Sequence, residues 1–243
     1  MIGKLRRAAG EMGLGNALLY SLDQGCQGLG LPCRVRRYLF VAQPVPDRPL
    51  LPPSRGQKIS VRPVEPGSAA LNHLPLTENV ARARFAQGAL CLGAFKGDAV
   101  IGCAWLAFDG YDEDEVRSRF VPEPATRTAW DFDVYVVPPE RMGLALMKLW
   151  DEANALLRRR GVRWSMSRIS AFNMASLASH RRLGAKVVAS AVYLTAGPIQ
   201  ASFISVAPYV HLSFGARGGP VIRLRAPDET VSANAYATAA DSS

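Results

Sequence analysis

The sequence predicts an α/β domain with a mixed, mostly antiparallel central sheet flanked by helices. Three observations lead there. Residues 130–137 alternate apolar and polar as a strand does, and the pair Pro138-Pro139 ends them, because a strand interior cannot spare the N–H groups. A long amphipathic segment follows, with Leu144, Leu146, Met147, Leu149, Trp150, Ala153, Leu156 and Leu157 as its apolar positions. Arg158, Arg159 and Arg160 stand at its C-terminal end, where cations are favoured, and Gly161 closes it. The remaining segments lack the regular strand–helix alternation of a doubly wound sheet, and no strand runs into a GxGxxG turn.

With 243 residues, 49% of them apolar, the chain can bury a full core without staples. The length suggests one domain of about 150 residues with a sizeable appendage. Cys26, Cys33, Cys91 and Cys103 show no short paired spacing and only three histidines accompany them, so no metal site is predicted. They read as buried thiols of a reducing compartment. No stretch reaches the roughly 18 apolar residues of a membrane span. Ala8–Leu19 is too sparse for a secretory signal, so cytoplasmic residence is expected. A net charge of +9 suits anionic company: nucleic acid, an acidic lipid surface or a phosphate-rich ligand. The arginines are scattered, without interleaved aromatics or a nucleic-acid module, which points away from nucleic acid.

In chain order, residues 1–57 read as an N-terminal extension and linker. A glycine-rich helical stretch, residues 1–30, has Leu14, Ala17, Leu18 and Leu22 at helix spacing. A strand centred on Tyr38–Val41 follows Arg34, Arg36 and Arg37. These arginines are either a solvated edge or a patch for peripheral contact with an anionic membrane. Pro44–Gln57 is proline-rich, and the boundary is placed there.

The main domain, residues 58–225, opens with a strand at Ile59–Val64 and a mostly helical stretch, Ala69–Gln87, interrupted by Pro75. Leu90–Ala94 and Ala99–Phe108 form a hairpin around Lys96-Gly97-Asp98. Acidic residues 109–115 begin a loop that runs to Thr128. After the central strand and helix come a second short strand, an Asn173-led helix closed at Gly184, and strands at Lys186–Thr195 and Ala201–Phe214. Residues 226–243 are small and polar and read as a frayed tail.

Chemistry concentrates where the central strand meets the long helix. Gly143 and Ala145 in Arg141-Met142-Gly143-Leu144-Ala145 let a ligand approach the backbone, and first-turn amides attract phosphate. Arg141 adds a charge suited to a diphosphate. Asp131 and Asp133 alternate with apolar residues, which predicts one shared face with Tyr135. Two carboxylates on a central strand imply a polar cleft, or else pairing with Arg117, Arg119 or Arg127. Asp133, nearer the turn, is the first candidate to take a proton from an amine, and Asp131 the second. His180 lies seven residues beyond Asn173; alone, it reads as an ordinary structural histidine.

The stretch from Ala129 to Gly184 resembles the heart of the GNAT superfamily of acyl-coenzyme A-dependent N-acyltransferases. In that family a strand enters an Arg/Gln-x-x-Gly-x-Gly/Ala turn, and a later helix reads Asn-x-x-Ala-x-x-x-Tyr-x-x-x-Gly-Phe. Gly143 and Ala145 fill the last two places of the turn, and Asn173, Ser176, His180, Gly184 and Ala185 fall at the helix intervals. The likeness spans roughly Ile59 to Thr195. The departures are Glu140 in the first place of the turn, His180 for the tyrosine and Ala185 for the phenylalanine.

The resemblance implies a GNAT-like fold and acyl transfer, acetyl by default, from acyl-coenzyme A to a primary amine, without a metal. It implies that Tyr135, Val136 and Val137 pair with the pantetheine arm. Arg141, Met142, Gly143, Leu144 and Ala145 would hold the diphosphate, with Asn173 and Ser176 at the edge of the arm. Asp133 or Asp131 would deprotonate the acceptor, and His180 would protonate the thiolate. Two alternatives stand beside this: transfer of a longer acyl chain to an amino-lipid or amino-sugar at a membrane surface, and an inactive GNAT-fold binding module. Monomer and homodimer both stay open.

Overall fold

The pattern of buried apolar side chains builds one nine-stranded sheet in a computed structural model, which describes residues 10, 12–215 and 218–227. Helix α1 (Leu14–Gly28) precedes strand β1 (Cys33–Pro44); β2 (Ser60–Val64) follows, then a short 3-10 helix (Ala69–His73) and α2 (Glu78–Ala86). Strands β3 (Leu90–Lys96) and β4 (Ala99–Ala107) form the expected hairpin. After β5 (Tyr111–Asp112) and β6 (Arg119–Glu123) comes the central strand β7 (Thr128–Val136), then α3 (Ala145–Arg159), β8 (Trp164–Ser170) and α4 (Met174–Arg182). Strands β9 (Lys186–Ala196), β10 (Ile199–Ile204), β11 (Val210–Phe214) and β12 (Val221–Arg225) complete the chain.

The large sheet runs β11-β10-β9-β1-β8-β7-β4-β3-β2, and its one parallel pairing is β7 with β8. This is the mixed, mostly antiparallel sheet flanked by helices that the sequence predicts. On one face α3 buries Ala145, Leu149, Ala153 and Leu157 against Leu92, Ile101, Leu106 and Val136. Beside it α4 sets Leu177 on Val41 and Ile169. The opposite face carries an aromatic core, with Phe40, Trp105, Trp130 and Phe132 under α2, the 3-10 helix and a small sheet of β12, β6 and β5.

Several expectations are revised. Strand β1 pairs with β8 on one side and β9 on the other, so the extension's strand is built into the middle of the sheet. Alternation along β1 also divides the three arginines. Arg36, paired in register with Tyr193, meets Glu115 on the aromatic face, whereas Arg37 lies against Gly15 of α1 on the other. They therefore form no single basic patch. Within the 109–128 stretch expected as loop, β5 and β6 pair with each other and β6 takes β12 alongside it. The strand expected over 201–214 breaks at 205–209 into β10 and β11. Residues 1–9 and 228–243, the start of the helical stretch and most of the tail, lie outside the described residues. Among the described residues no helix is long and apolar enough to cross a membrane, and no group of side chains is set to hold a metal ion.

Candidate active site

The two parallel strands part almost as soon as they meet. β7 and β8 pair at Thr128–Trp164, Ala129–Ser165 and Trp130–Met166, and the ladder stops there. Beyond that point β7 continues from Asp131 to Val136 and β8 to Ser170. Both strands thus turn backbone groups toward a gap, and a backbone without a ladder needs a partner.

A one-residue bulge shapes the β7 wall. Against β4 the register passes from Trp105–Phe132 to Cys103–Tyr135, so β7 spends three residues on two of its neighbour. Asp133 holds φ 49°, the left-handed region that Asp tolerates better than most residues. Gly102 makes the fit possible: a Cβ there would stand 2.6 Å from the Tyr135 carbonyl oxygen.

The bulge overturns the shared face predicted for Asp131 and Asp133. Asp131 sits opposite Leu106 on the α3 face, is 3% exposed, and accepts a 2.6 Å hydrogen bond from Ser165 Oγ. Burial raises its pKa to about 7, against the opposing hydrogen bond of Ser165. Asp133 lies on the aromatic face, where Arg84 Nη1 donates to it at 2.5 Å while Nε and Nη2 of the same arginine engage Asp114. Arg84 also lies 5.2 Å from the Trp105 and Phe132 ring centres. Arg84 is thus the partner of Asp133; Arg117 donates to the backbone carbonyls of Pro198 and Gly215, and Arg119 pairs with Asp112.

At the far end of β7, a 3-10 turn (Pro138–Glu140) leads into α3, which starts at Ala145 without a side-chain cap. An uncapped N-terminus leaves amides free for an anion. A hollow of about 320 Å³ there is lined by Val134, Tyr135, Val136, Arg141 and Leu146. Arg141 Nε donates to the Val136 carbonyl at 3.1 Å, and Met142 is fully exposed. Glu140 is held by Lys96 at 2.6 and 2.7 Å, yet its Oε2 lies only 3.5 Å from where a Gly143 Cβ would stand.

Across the gap, Asn173 caps α4 by accepting from the Ser176 amide at 3.1 Å. His180 faces inward: Nδ1 lies 3.0 Å from Gln43 Oε1, the ring meets Trp150 edge-on, and burial lowers its pKa. His180 therefore does not share a site with Asp133. On the aromatic face a second hollow, about 500 Å³, is lined by residues including Thr77, Arg84, Glu113, Asp133 and Arg168.

Sequence reasoning missed Arg84, Arg168, Gln43 and Asn154. Arg168 makes paired 2.8 Å bonds with Glu113, so the acidic run was the visible half of this network. Asn154, 1% exposed on α3, has no hydrogen-bond partner for either side-chain atom, and Ser167 Oγ also lacks one. Neither residue carries a sequence signal beyond being polar within an apolar pattern.

No family model matches the sequence, and no curated protein matches it. Among solved structures, a GNAT-family protein from Novosphingobium aromaticivorans aligns at 16% identity with a TM-score of 0.46, covering 65% of this chain and 63% of that one. A GCN5-related N-acetyltransferase from Sphaerobacter thermophilus aligns at 18% identity with a TM-score of 0.44, over 71% of this chain and 55% of its own. The match spans less than two thirds of either structure.

Proposed function

We propose that the chain is an acyl-coenzyme A-dependent N-acyltransferase that moves an acyl group, acetyl by default, onto a primary amine. The observation that carries this reading is the splay of β7 from β8 after three paired positions, with the uncapped start of α3 at its mouth. An extended amide-bearing arm can continue the interrupted ladder along Tyr135–Val137, and an anion suits the first-turn amides of α3 from Ala145 onward, the Gly143 amide already donating to the Glu140 carbonyl. The resemblance of the 129–184 stretch gives the same assignment.

In this reading the arm of the donor lies in the gap and the acceptor enters from the aromatic face, through the hollow beside Asp133 and Arg84. The amine nitrogen attacks the thioester carbonyl, its proton passes to a carboxylate, and the carbon–sulfur bond breaks to release the thiolate, which takes up a proton. Asp133 lines that hollow and is the carboxylate within reach of the entering amine, whereas Asp131, its pKa raised to about 7 by burial, faces α3 on the other side of the strand and is 3% exposed. The ion pair with Arg84 fixes the position of the Asp133 carboxylate on the acceptor side.

Calorimetric titration tests the reading. Acetyl-coenzyme A binds, and Leu146→Glu, which adds a carboxylate at the exposed first turn of α3, weakens binding about tenfold. Absence of binding by acetyl-, long-chain acyl- and free coenzyme A alike would sink the proposal. Glu140 favours one second reading, an inactive binding module, because its carboxylate beside Gly143 opposes a diphosphate at this turn. Coenzyme A affinity that rises in Glu140→Gln, with no transfer to any amine by the wild type, would select that reading.

A further inference from the structure

The β10–β11 edge of the large sheet sets polar side chains inward and apolar ones outward, and β9 continues the outward apolar rows. Side chains facing the interior are polar: Gln200 and Ser202 are fully buried, and Ser213 nearly so. Gln200 Nε2 donates to the Arg117 carbonyl at 2.8 Å and to Ser202 Oγ at 3.1 Å, while its Oε1 accepts from the Arg117 amide at 2.8 Å. The side chains facing outward are apolar. Phe203 pairs in register with Val210, Ile199 with Phe214, and Leu194 and Leu212 flank Ala201, so these residues form continuous rows across three strands. Phe203 is 46% exposed, Leu212 54%, Val210 64% and Phe214 65%.

A sheet face that meets water reads polar outward and apolar inward. Scattered exposed apolar side chains are ordinary; a contiguous set of this kind marks a contact surface. The inward polar set belongs to β10 and β11, where its groups are satisfied, while the outward apolar rows run over all three strands; on β9 the inward Ala189, Ala191 and Tyr193 join the aromatic core. The arrangement is therefore a property of how the sheet end is built.

We infer that this face is the contact between two copies of the chain, packed sheet on sheet about a two-fold axis. Area is the first argument for a second copy. Six large apolar side chains, each 38% to 65% exposed, stand side by side on three strands, a contiguous patch on the order of several hundred Å² and so of the size that marks an interaction face. Composition is the second: the rows hold aliphatic and aromatic residues and no charge, as the centre of a homodimer contact does. Such a face is complementary to itself. An anionic lipid surface would call for cations around the rows, and Arg37, the β1 cation in register with Val192, is turned under α1 against Gly15. The inference is independent of the proposed acyl transfer.

Sedimentation velocity on the full chain, from low to high micromolar, tests it. Wild type sediments at twice the monomer mass, and Leu212→Asp and Val210→Lys raise the dimer dissociation constant at least tenfold while far-UV circular dichroism stays unchanged. A wild type that stays monomeric over the range overturns the inference, as does a folded variant that dimerises like wild type. Monomers that co-sediment with phosphatidylserine-containing vesicles overturn it in favour of lipid. Hydrogen exchange on the wild type covers the case of variants that fail to fold: protection of residues 199–214 rises with protein concentration, and concentration-independent exchange overturns the inference.

Discussion

Asp131 and Asp133 stand two residues apart on one strand and occupy opposite chemical regimes. Asp131 lies on the α3 side, nearly sealed from water, with a serine hydroxyl as its bonded neighbour and no cation to offset its charge. Asp133 lies on the α2 side, partly open, locked to an arginine that also holds Asp114. A bulge of one residue separates the two environments. The first carboxyl is tuned by desolvation and the second is fixed by pairing. The strand thus offers a titrating group on the helix side of the splay and a rigid, charged wall on the other.

The sharpest way to break this comparison is to remove the charge at Asp131. Folded Asp131 keeps its proton up to about pH 7, whereas the unfolded chain releases it near 3.8. In that window the folded state binds more protons, so stability falls as pH rises through it, by on the order of 4 kcal/mol from this group. Asp131→Asn should match wild type near the acid end and exceed it above neutrality. Urea denaturation of both proteins across the range reads the difference; parallel curves would show that Asp131 ionises freely.

The reciprocal test is made at Arg84. Arg84 is 7% exposed, and burial disfavours its charge, but the hydrogen bonds with Asp133 and Asp114 more than compensate and hold its pKa above the usual value. Arg84→Ala strands both carboxylates and removes the group beside the Trp105 and Phe132 rings. We expect a loss of about 3 kcal/mol, the lower end for breaking a buried pair, because the Asp133 side chain is 41% exposed. A urea midpoint within error of wild type would show that the network adds no stability.

Much of this frame was legible in the sequence, and the reasons are local. The strand 130–137, the proline stop and the helix ended by Gly161 follow from periodicity and capping, which neighbouring residues determine. The α4 cap at Asn173 is of the same kind. The division of Asp131 from Asp133 was not legible, because a bulge depends on the facing strand, here on Gly102 of β4. Strand β1 reads as an appendage because nothing within 33–44 encodes its insertion between β8 and β9. Arg84 and Arg168 were missed for a similar reason: their partners lie 49 and 55 residues away along the chain.

The smallest effect is expected at Asp133 itself, and it separates backbone from charge. Asn adopts the left-handed region about as readily as Asp, so Asp133→Asn keeps the bulge and loses only the ionic part of the contact with Arg84. With the side chain partly exposed, that part contributes less than about 1 kcal/mol. Asp133→Val removes the same charge but places a β-branched residue at φ 49°, a conformation it adopts only under strain. Valine should therefore cost more than asparagine in thermal denaturation, by roughly 1 to 3 kcal/mol. Equal losses would mean that the charge, and not the bulge, positions this wall of the splay. The acyl-transfer assay then divides the two carboxylates: Asp133→Asn lowers the rate more than Asp131→Asn if the residue on the arginine takes the proton, and the reverse order would assign that role to the titrating group.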